Sequence, residues 1–314
     1  MIKDKWNPWH GCIKCSEGCR NCYMYYLDRK REVKIPSYIV RKTNNFDYPL
    51  KKGKNKQYKV RPGEKLMVNM TSDTFVEDAD FWRDEMWNII KQRPDVIFWL
   101  LTKRPERMAY CLPDDWNDGY ENVSLNVTCE NQEMYDQRIQ YLLNTPAKHK
   151  GLCLAPLLGP INIESALASH QIEEISVGGE NYDNPRPCDH KWVKDIALQC
   201  MQYRTNFYFY ETGTNFVFNN DTYIINSKAD QSRFAFAASL NQKYYDIKYK
   251  LRYPEGAEFD KNQVFKKEFN INRCLLCGNC ESCNGCYSCG ECANIDLVSE
   301  EELKEEQRKH IQNL

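Results

Sequence analysis

Six short runs of apolar, β-rich residues recur along the middle of the chain: LMVNMT from Leu66, IFWLLT from Ile97, VSLNVT from Val123, GLCLAP from Gly151, EISVGG from Glu174 and NFYFYE from Asn206. Between them lie segments with helical period, among them DADFWRDEMWNIIKQ, NQEMYDQRIQYLLN and DHKWVKDIALQCMQY. Alternation of strand and helix at this spacing predicts βα units. Strands that are apolar almost throughout predict a parallel sheet whose outer face is covered by helices. With a short strand before Trp6 the count reaches about seven units, which predicts an α/β fold: a complete or partial (β/α) TIM-type barrel, with a doubly wound open sheet as the alternative. The barrel is expected over residues 1–240. After Gly213 the pattern weakens, and a hairpin with a short helix is expected to close it. Residues 241–314 read as an extension that carries a cysteine-rich segment, 274–292, and a polar terminal helix opened by Ser299 and Glu302 as a capping box.

Polar residues gather where the strands end. Asn69, Thr71, Ser72 and Asp73 follow the first run; Thr102, Lys103 and Arg104 the second; Asn126, Thr128, Glu130 and Asn131 the third. Gly178, Gly179, Glu180 and Asn181 follow the fifth, and Glu211 the last. In a parallel barrel every strand opens its C-terminal end on one face, where active sites are built. Ser72, Asp73 and Asn131 also precede helical patterns, so each doubles as a cap candidate. One polar end means little, but several of the same character point to a site.

Composition narrows the class. A chain of 314 residues, 42% hydrophobic and 13% aromatic, can bury a large core. It has no apolar run of signal-peptide length near its start and none near the ~18 residues of a membrane span. A cytoplasmic protein without membrane contact is therefore expected. The net charge of −1 hides a local bias: between Arg29 and Lys65 there are 13 Lys or Arg against 3 acids, interspersed with Tyr38, Phe46, Tyr48 and Tyr58. Such a basic insertion, 29–65, could hold nucleic acid through phosphate contacts and stacking, or be a solvated surface.

The 16 cysteines change the picture most. In a reducing compartment clustered thiols argue for metal rather than disulfides. Cys12, Cys15, Cys19 and Cys22 fall within 11 positions of WNPWHGCIKCSEGCRNCY. Structural zinc usually joins two CxxC knuckles through a long spacer, and here only Ser16, Glu17 and Gly18 intervene. Compact runs suit an iron–sulfur cluster, and Cys15-x3-Cys19-x2-Cys22 is the spacing of radical S-adenosylmethionine enzymes. In those, three thiolates hold a site-differentiated [4Fe-4S] cluster whose fourth iron takes the methionine group. One electron then yields a 5′-deoxyadenosyl radical.

The motifs WNPWHGC…SEGCRNCY, SDTF, LLTKRPERM, NVSLNVTCEN, PLLGPI, SVGGEN and NFYFYETG occur in this order over roughly residues 5 to 215. Together they resemble a phage-associated family of uncharacterised proteins that looks radical-SAM-like. The resemblance implies a barrel with a cluster loop. The family's loop reads GC-x6-C-x2-CY, so it favours Cys12 with Cys19 and Cys22, whereas the superfamily spacing favours Cys15 as the third ligand. On this reading Gly178, Gly179 and Glu180 are candidates for the methionine amino group, with the Ser72/Asp73 end as a rival. Asn126, Thr128 and Glu130 are candidates for ribose hydroxyls. Lys103 and Arg104 would supply positive charge to a carboxylate or phosphate. An electron donor such as ferredoxin or flavodoxin is the implied partner.

Cys274, Cys277, Cys280, Cys283, Cys286, Cys289 and Cys292 recur at every third residue, with glycines that permit tight turns. Seven thiolates suffice for one or two auxiliary [4Fe-4S] clusters; a zinc-rich knot is the structural alternative, and a tethered peptide substrate a third. The expected function is radical chemistry on an unknown substrate, nucleic acid or nucleoside first and peptide second. Its rival is a non-enzymatic nucleic-acid-binding protein stapled by zinc or iron–sulfur.

Overall fold

The computed structural model describes residues 5–257; the cysteines from Cys274 to Cys292 and the helix expected after Ser299 lie outside the described residues. Seven strands form one parallel sheet: β1 (Lys5–Trp6), β2 (Lys65–Val68), β3 (Ile97–Thr102), β4 (Val123–Thr128), β5 (His149–Leu154), β6 (Glu174–Gly178) and β7 (Asn206–Glu211). Each pairs with the next in chain order, and the sheet curls into a half-barrel. The six apolar runs thus became the strands expected of them.

Period-two alternation places every second side chain on the convex face. Leu66 and Val68, Phe98 and Leu100, Leu125 and Val127, Ile175 and Val177 are all at most 1% exposed. The helices α1 (Tyr23–Lys30), α2 (Asp80–Gln92), α3 (Met108–Cys111), α4 (Gln132–Asn144), α5 (Glu164–Ala168), α6 (His190–Tyr203) and α7 (Lys228–Ala237) complete the chain's order. Three of them bring their apolar stripes to this core through residues such as Met86, Ile90, Ile139, Leu142, Val193 and Ile196. Asn131 caps α4 by accepting from the Met134 N–H, as its place before the helix predicted.

One expectation is corrected. The hairpin Asn215–Phe218/Asp221–Ile224 does not close the barrel; its first strand pairs with Cys188–Asp189 in a separate small sheet. Among the described residues no ladder joins β1 to β7, so the sheet stays open. The free edge of β7 is instead met by the following chain. Phe207 and Gln242 exchange both backbone hydrogen bonds at 2.9 Å, and the Asn241 side chain accepts from the Phe209 N–H at 2.7 Å. That chain continues beneath the strand starts, where the Tyr245 hydroxyl donates to the Glu173 carbonyl and the Tyr249 ring lies 4.1 Å from that of His149. Lys65 of β2 reaches Glu174 of β6 at 3.9 Å across the same end. The half-barrel therefore has a floor.

The basic insertion is split by the fold. Its first part runs beside the N-terminal cysteines, where Ser37 accepts from the Cys12 N–H at 3.0 Å and Arg41–Lys42 pairs with Trp9–His10. Its second part lies at the strand starts: Val60 accepts from buried Arg93, whose guanidinium is 4.0 Å from the Tyr58 ring. Phe46 is buried, so of the interspersed aromatics Tyr38 alone is exposed beside the cysteines. Among the described residues no helix is long and apolar enough to cross a membrane.

Candidate functional site: a cysteine loop over the mouth of the half-barrel

The segment Gly11–Cys22 leaves the β1 end and crosses the C-terminal ends of the other strands, with one tight turn at Glu17–Cys19. Four strand ends contribute to holding it. Ser72, after β2, donates to the Gly11 carbonyl at 2.5 Å. Arg104, after β3, donates to the Ile13 carbonyl at 2.7 Å and lies 3.9 Å from the Cys12 thiol. Glu130, after β4, accepts from the Gly18 N–H at 3.1 Å. Glu180, after β6, accepts from Asn21 at 2.9 Å. A loop of small and polar residues has little apolar surface to bury, so these hydrogen bonds are what fix its course.

The braces are themselves charge-paired. Asp73 accepts from the N–H groups of Phe75 and Lys103 and from the Thr102 hydroxyl at 2.7–2.9 Å, and it faces Arg104 at 3.5 Å. Glu130 is fully buried against Arg138 at 2.7 Å. Burial alone would raise its carboxyl, but the charges of Lys103 and Arg138 outweigh that and hold it below the usual carboxylate range. Glu180, 4% exposed, is gripped by Arg186 through Nε at 2.8 Å, Nη2 at 2.5 Å and the backbone N–H at 2.9 Å. Burial again opposes, and these hydrogen bonds again win, so its carboxyl too is held low.

The four thiols differ sharply. Cys15 is exposed, Cys12 and Cys22 are half-buried, and Cys19 is buried. A hydrogen bond from Cys15 drives the Cys19 thiol down to about 4, helped against burial by Lys103 and by the backbone N–H groups of Cys15 and Ser16. Burial and the charge of Asp73 push Cys12 up to about 12, and burial raises Cys22. Cys12, Cys19 and Cys22 lie close enough that each feels charge on the others. Lys103 sits among Cys19, Glu130 and Cys22, whose negative charge overcomes burial and keeps it protonated. Among the described residues no three His, Cys, Asp or Glu side chains converge as a single-ion site would require.

Beneath the loop lies the concave face of the sheet. The strand register aligns Thr128, Cys153, Ser176 and Tyr208 across β4 to β7 in one layer, with Lys103 following β3. Burial raises the Cys153 thiol, opposed by a hydrogen bond from Ser176 and by Lys103. The Thr128 hydroxyl is fully buried and has no hydrogen-bond partner among the described residues. One layer lower run Leu101, Asn126, Gly151 and Glu174. A cleft of about 440 Å³ lined by Leu112, Pro113, Trp116 and Tyr141 shares no residue with these layers.

Of the residues singled out in the sequence, the fold brings Cys12, Cys15, Cys19, Cys22, Ser72, Asp73, Lys103, Arg104, Thr128, Glu130 and Glu180 to one end. Several have another task there than expected. Glu180 and Glu130 spend their oxygens on the loop and on arginines, so they brace rather than face a ligand. Asn126 lies a layer below the mouth and donates to the Leu100 and Ser124 carbonyls at 3.1 Å, away from any ribose near the thiols. Gly178 is glycine because a Cβ there would meet the Tyr210 ring at 2.5 Å, and one at Gly179 would strike the Thr212 carbonyl. These two make room for β7 and its following turn. Sequence reading missed Asn21, Arg186, Cys153 and Ser176. The alternation in GLCLAP and EISVGG carried the signal for the last two, obscured because both runs read as apolar throughout. Arg186 had no local signal.

No curated protein and no solved structure matches the chain. A family model does match, over residues 1–261, and its span takes in β1, the cysteine loop and every strand of the half-barrel. The chain therefore belongs to the family described as Protein of unknown function (DUF5131).

Proposed function

We propose that the protein is an iron–sulfur enzyme of the radical S-adenosylmethionine type. The observation that carries this reading is the loop bearing four thiols, held over the polar strand ends by Ser72, Arg104, Glu130 and Glu180. A thiolate is the form that ligates iron, and a cluster needs its ligands fixed on one loop. Cys19 and Cys22 would hold two irons and Cys12 or Cys15 a third. When bound, such a cluster supplies the single electron that cleaves the sulfonium bond of S-adenosylmethionine. The chain's own groups do the rest. Glu130, Glu180 and Arg104 hold the loop, and Lys103 places positive charge beside the carboxylate of a bound amino acid group. Thr128 offers an unspent hydroxyl to a ligand. The auxiliary clusters proposed for Cys274 to Cys292 belong to the same reading.

Protein purified without oxygen should contain iron and sulfide. Its reduced spectrum should shift on addition of S-adenosylmethionine, and 5′-deoxyadenosine should be released. Cys19→Ala and Cys22→Ala should each remove one cluster's iron, as should only one of Cys12→Ala and Cys15→Ala. A protein that takes up zinc but never iron at this loop would end the proposal.

A further inference from the structure

The turn that follows β6 reaches across the mouth to α1, and its two ends are fixed. Asn181 accepts from the Thr214 hydroxyl at 3.2 Å, the Glu180 carbonyl accepts from the Thr214 N–H at 2.9 Å, and the Pro185 carbonyl accepts from the Asn215 side chain at 2.6 Å. Between these ends Tyr182, Asp183 and Asn184 stand in succession at φ 66°, 45° and 62°. All three bear side chains, for which the left-handed region is costly. The tip they form meets one short stretch of chain. The Tyr182 ring stacks on that of Tyr26 at 4.5 Å and 10°, Asp183 pairs with Arg29, and the Asn184 carbonyl accepts from Asn21 at 3.2 Å.

Cys22 stands at the N-cap of α1, and Tyr26 and Arg29 follow it at i+4 and i+7, so the three share one face of the helix. The tip therefore lies along the face that begins with Cys22. What holds it there is weak. The Arg29 and Asp183 side chains are 65% and 31% exposed, and an exposed ion pair contributes little. The stacked tyrosines are both partly exposed, and such a pair is worth about as much as one or two left-handed residues cost. Contact and strain thus nearly cancel at the tip, while the anchored ends have no reason to move. We propose that Tyr182–Asn184 is a latch over Cys22: closed in this structure, it swings off α1 on its fixed ends and admits what that thiol takes up or releases. The inference rests on the proposed function for the identity of that ligand; the gating follows from the contacts of the tip.

The test uses the full chain, reduced and freed of metal with a chelator, labelled with iodoacetamide for timed intervals and quantified at each cysteine by mass spectrometry. Tyr182→Ala should speed labelling of Cys22 about fivefold and Asp183→Ala about threefold. Exposed Cys15 should keep its wild-type rate, and buried Cys129 and Cys200 should stay protected, which shows that the variants fold. Salt at about 1 M should speed Cys22 in the wild type and leave Asp183→Ala unmoved, because it screens the pair with Arg29. Asn184→Gly keeps the carbonyl that Asn21 uses and relieves the left-handed cost, so it should slow Cys22 about twofold. Wild-type rates at Cys22 in both alanine variants, with Cys129 and Cys200 protected, overturn the latch. So does a Cys22 rate that responds to neither salt nor Asn184→Gly, a result that needs no destabilised variant. Iron analysis of the protein as purified is read separately: absence of iron ends the functional reading, and the latch still stands or falls on these rates.

Discussion

The two faces of the one sheet are built from alternate residues of the same strands, yet they obey opposite rules. On the convex face Phe98, Leu125 and Val177 are buried under helices. On the concave face the neighbouring positions hold Trp99, Ser124, Thr128, Cys153, Ser176 and Glu174, a set poor in stabilising burial and rich in groups that donate, accept or carry charge. In a full barrel the interior is usually filled by branched apolar layers. Here the sheet stops at seven strands, and the concave layers stay polar. The comparison teaches that the convex face supplies the free energy that lets the concave face remain polar.

The largest effect should come from breaking the convex face. Phe98 is fully buried and stands edge-on to Trp6 at 5.5 Å, so Phe98→Ala should cost about 3–5 kcal/mol in chemical denaturation. A smaller but pH-dependent loss is expected where the faces meet. Glu130 and Glu180 have folded pKa values below their unfolded ones. Their contribution is therefore complete above the unfolded value, about 4.3, and is lost as the pH falls through the folded one. Glu130→Gln should cost about 1.5–3 kcal/mol at pH 7 and flatten the acid limb of the stability profile. A flat acid limb in the wild type would contradict this assignment.

Arg186→Ala leaves Glu180 buried with Asn21 as its remaining side-chain partner, and should cost about 1–3 kcal/mol. Hydrogen exchange at the Gly18 N–H should quicken in the same variant, since the Arg186 bond to the Glu17 carbonyl is lost. On the concave face Ser176→Ala should change stability by no more than about 0.5 kcal/mol. The smallest effect is expected at Lys59, which is exposed in the distant part of the basic insertion: Lys59→Glu should leave stability unchanged. A large cost at Ser176 would mean that the concave face is part of the core after all.

Much of this architecture was legible beforehand. The runs from Leu66 to Glu211 named β2 to β7 because a strand buried under helices needs apolar residues, whatever lies on its other side. The helices before β3, β5 and β7 were equally plain from their period. The cysteine loop and the polar strand ends were visible as composition, since all seven C-terminal ends of a parallel sheet must share one face. Their tasks were not visible. Whether Glu180 meets a ligand or Arg186 depends on a turn that brings two residues six apart into contact, and no periodicity encodes that.

What the sequence by itself determined is therefore the order and type of the elements, the end at which the site lies, and the clustering of four thiols on one loop, because each follows from local pattern and from connectivity. Only the tertiary structure decided that the sheet stays open, that the basic insertion divides between the two ends, and that carboxylates expected to bind instead clamp the loop. Those outcomes turn on which backbone edge finds a partner first and which buried charge must be neutralised. Both are settled between residues far apart in the chain, where the cost of an unpaired group is paid in three dimensions.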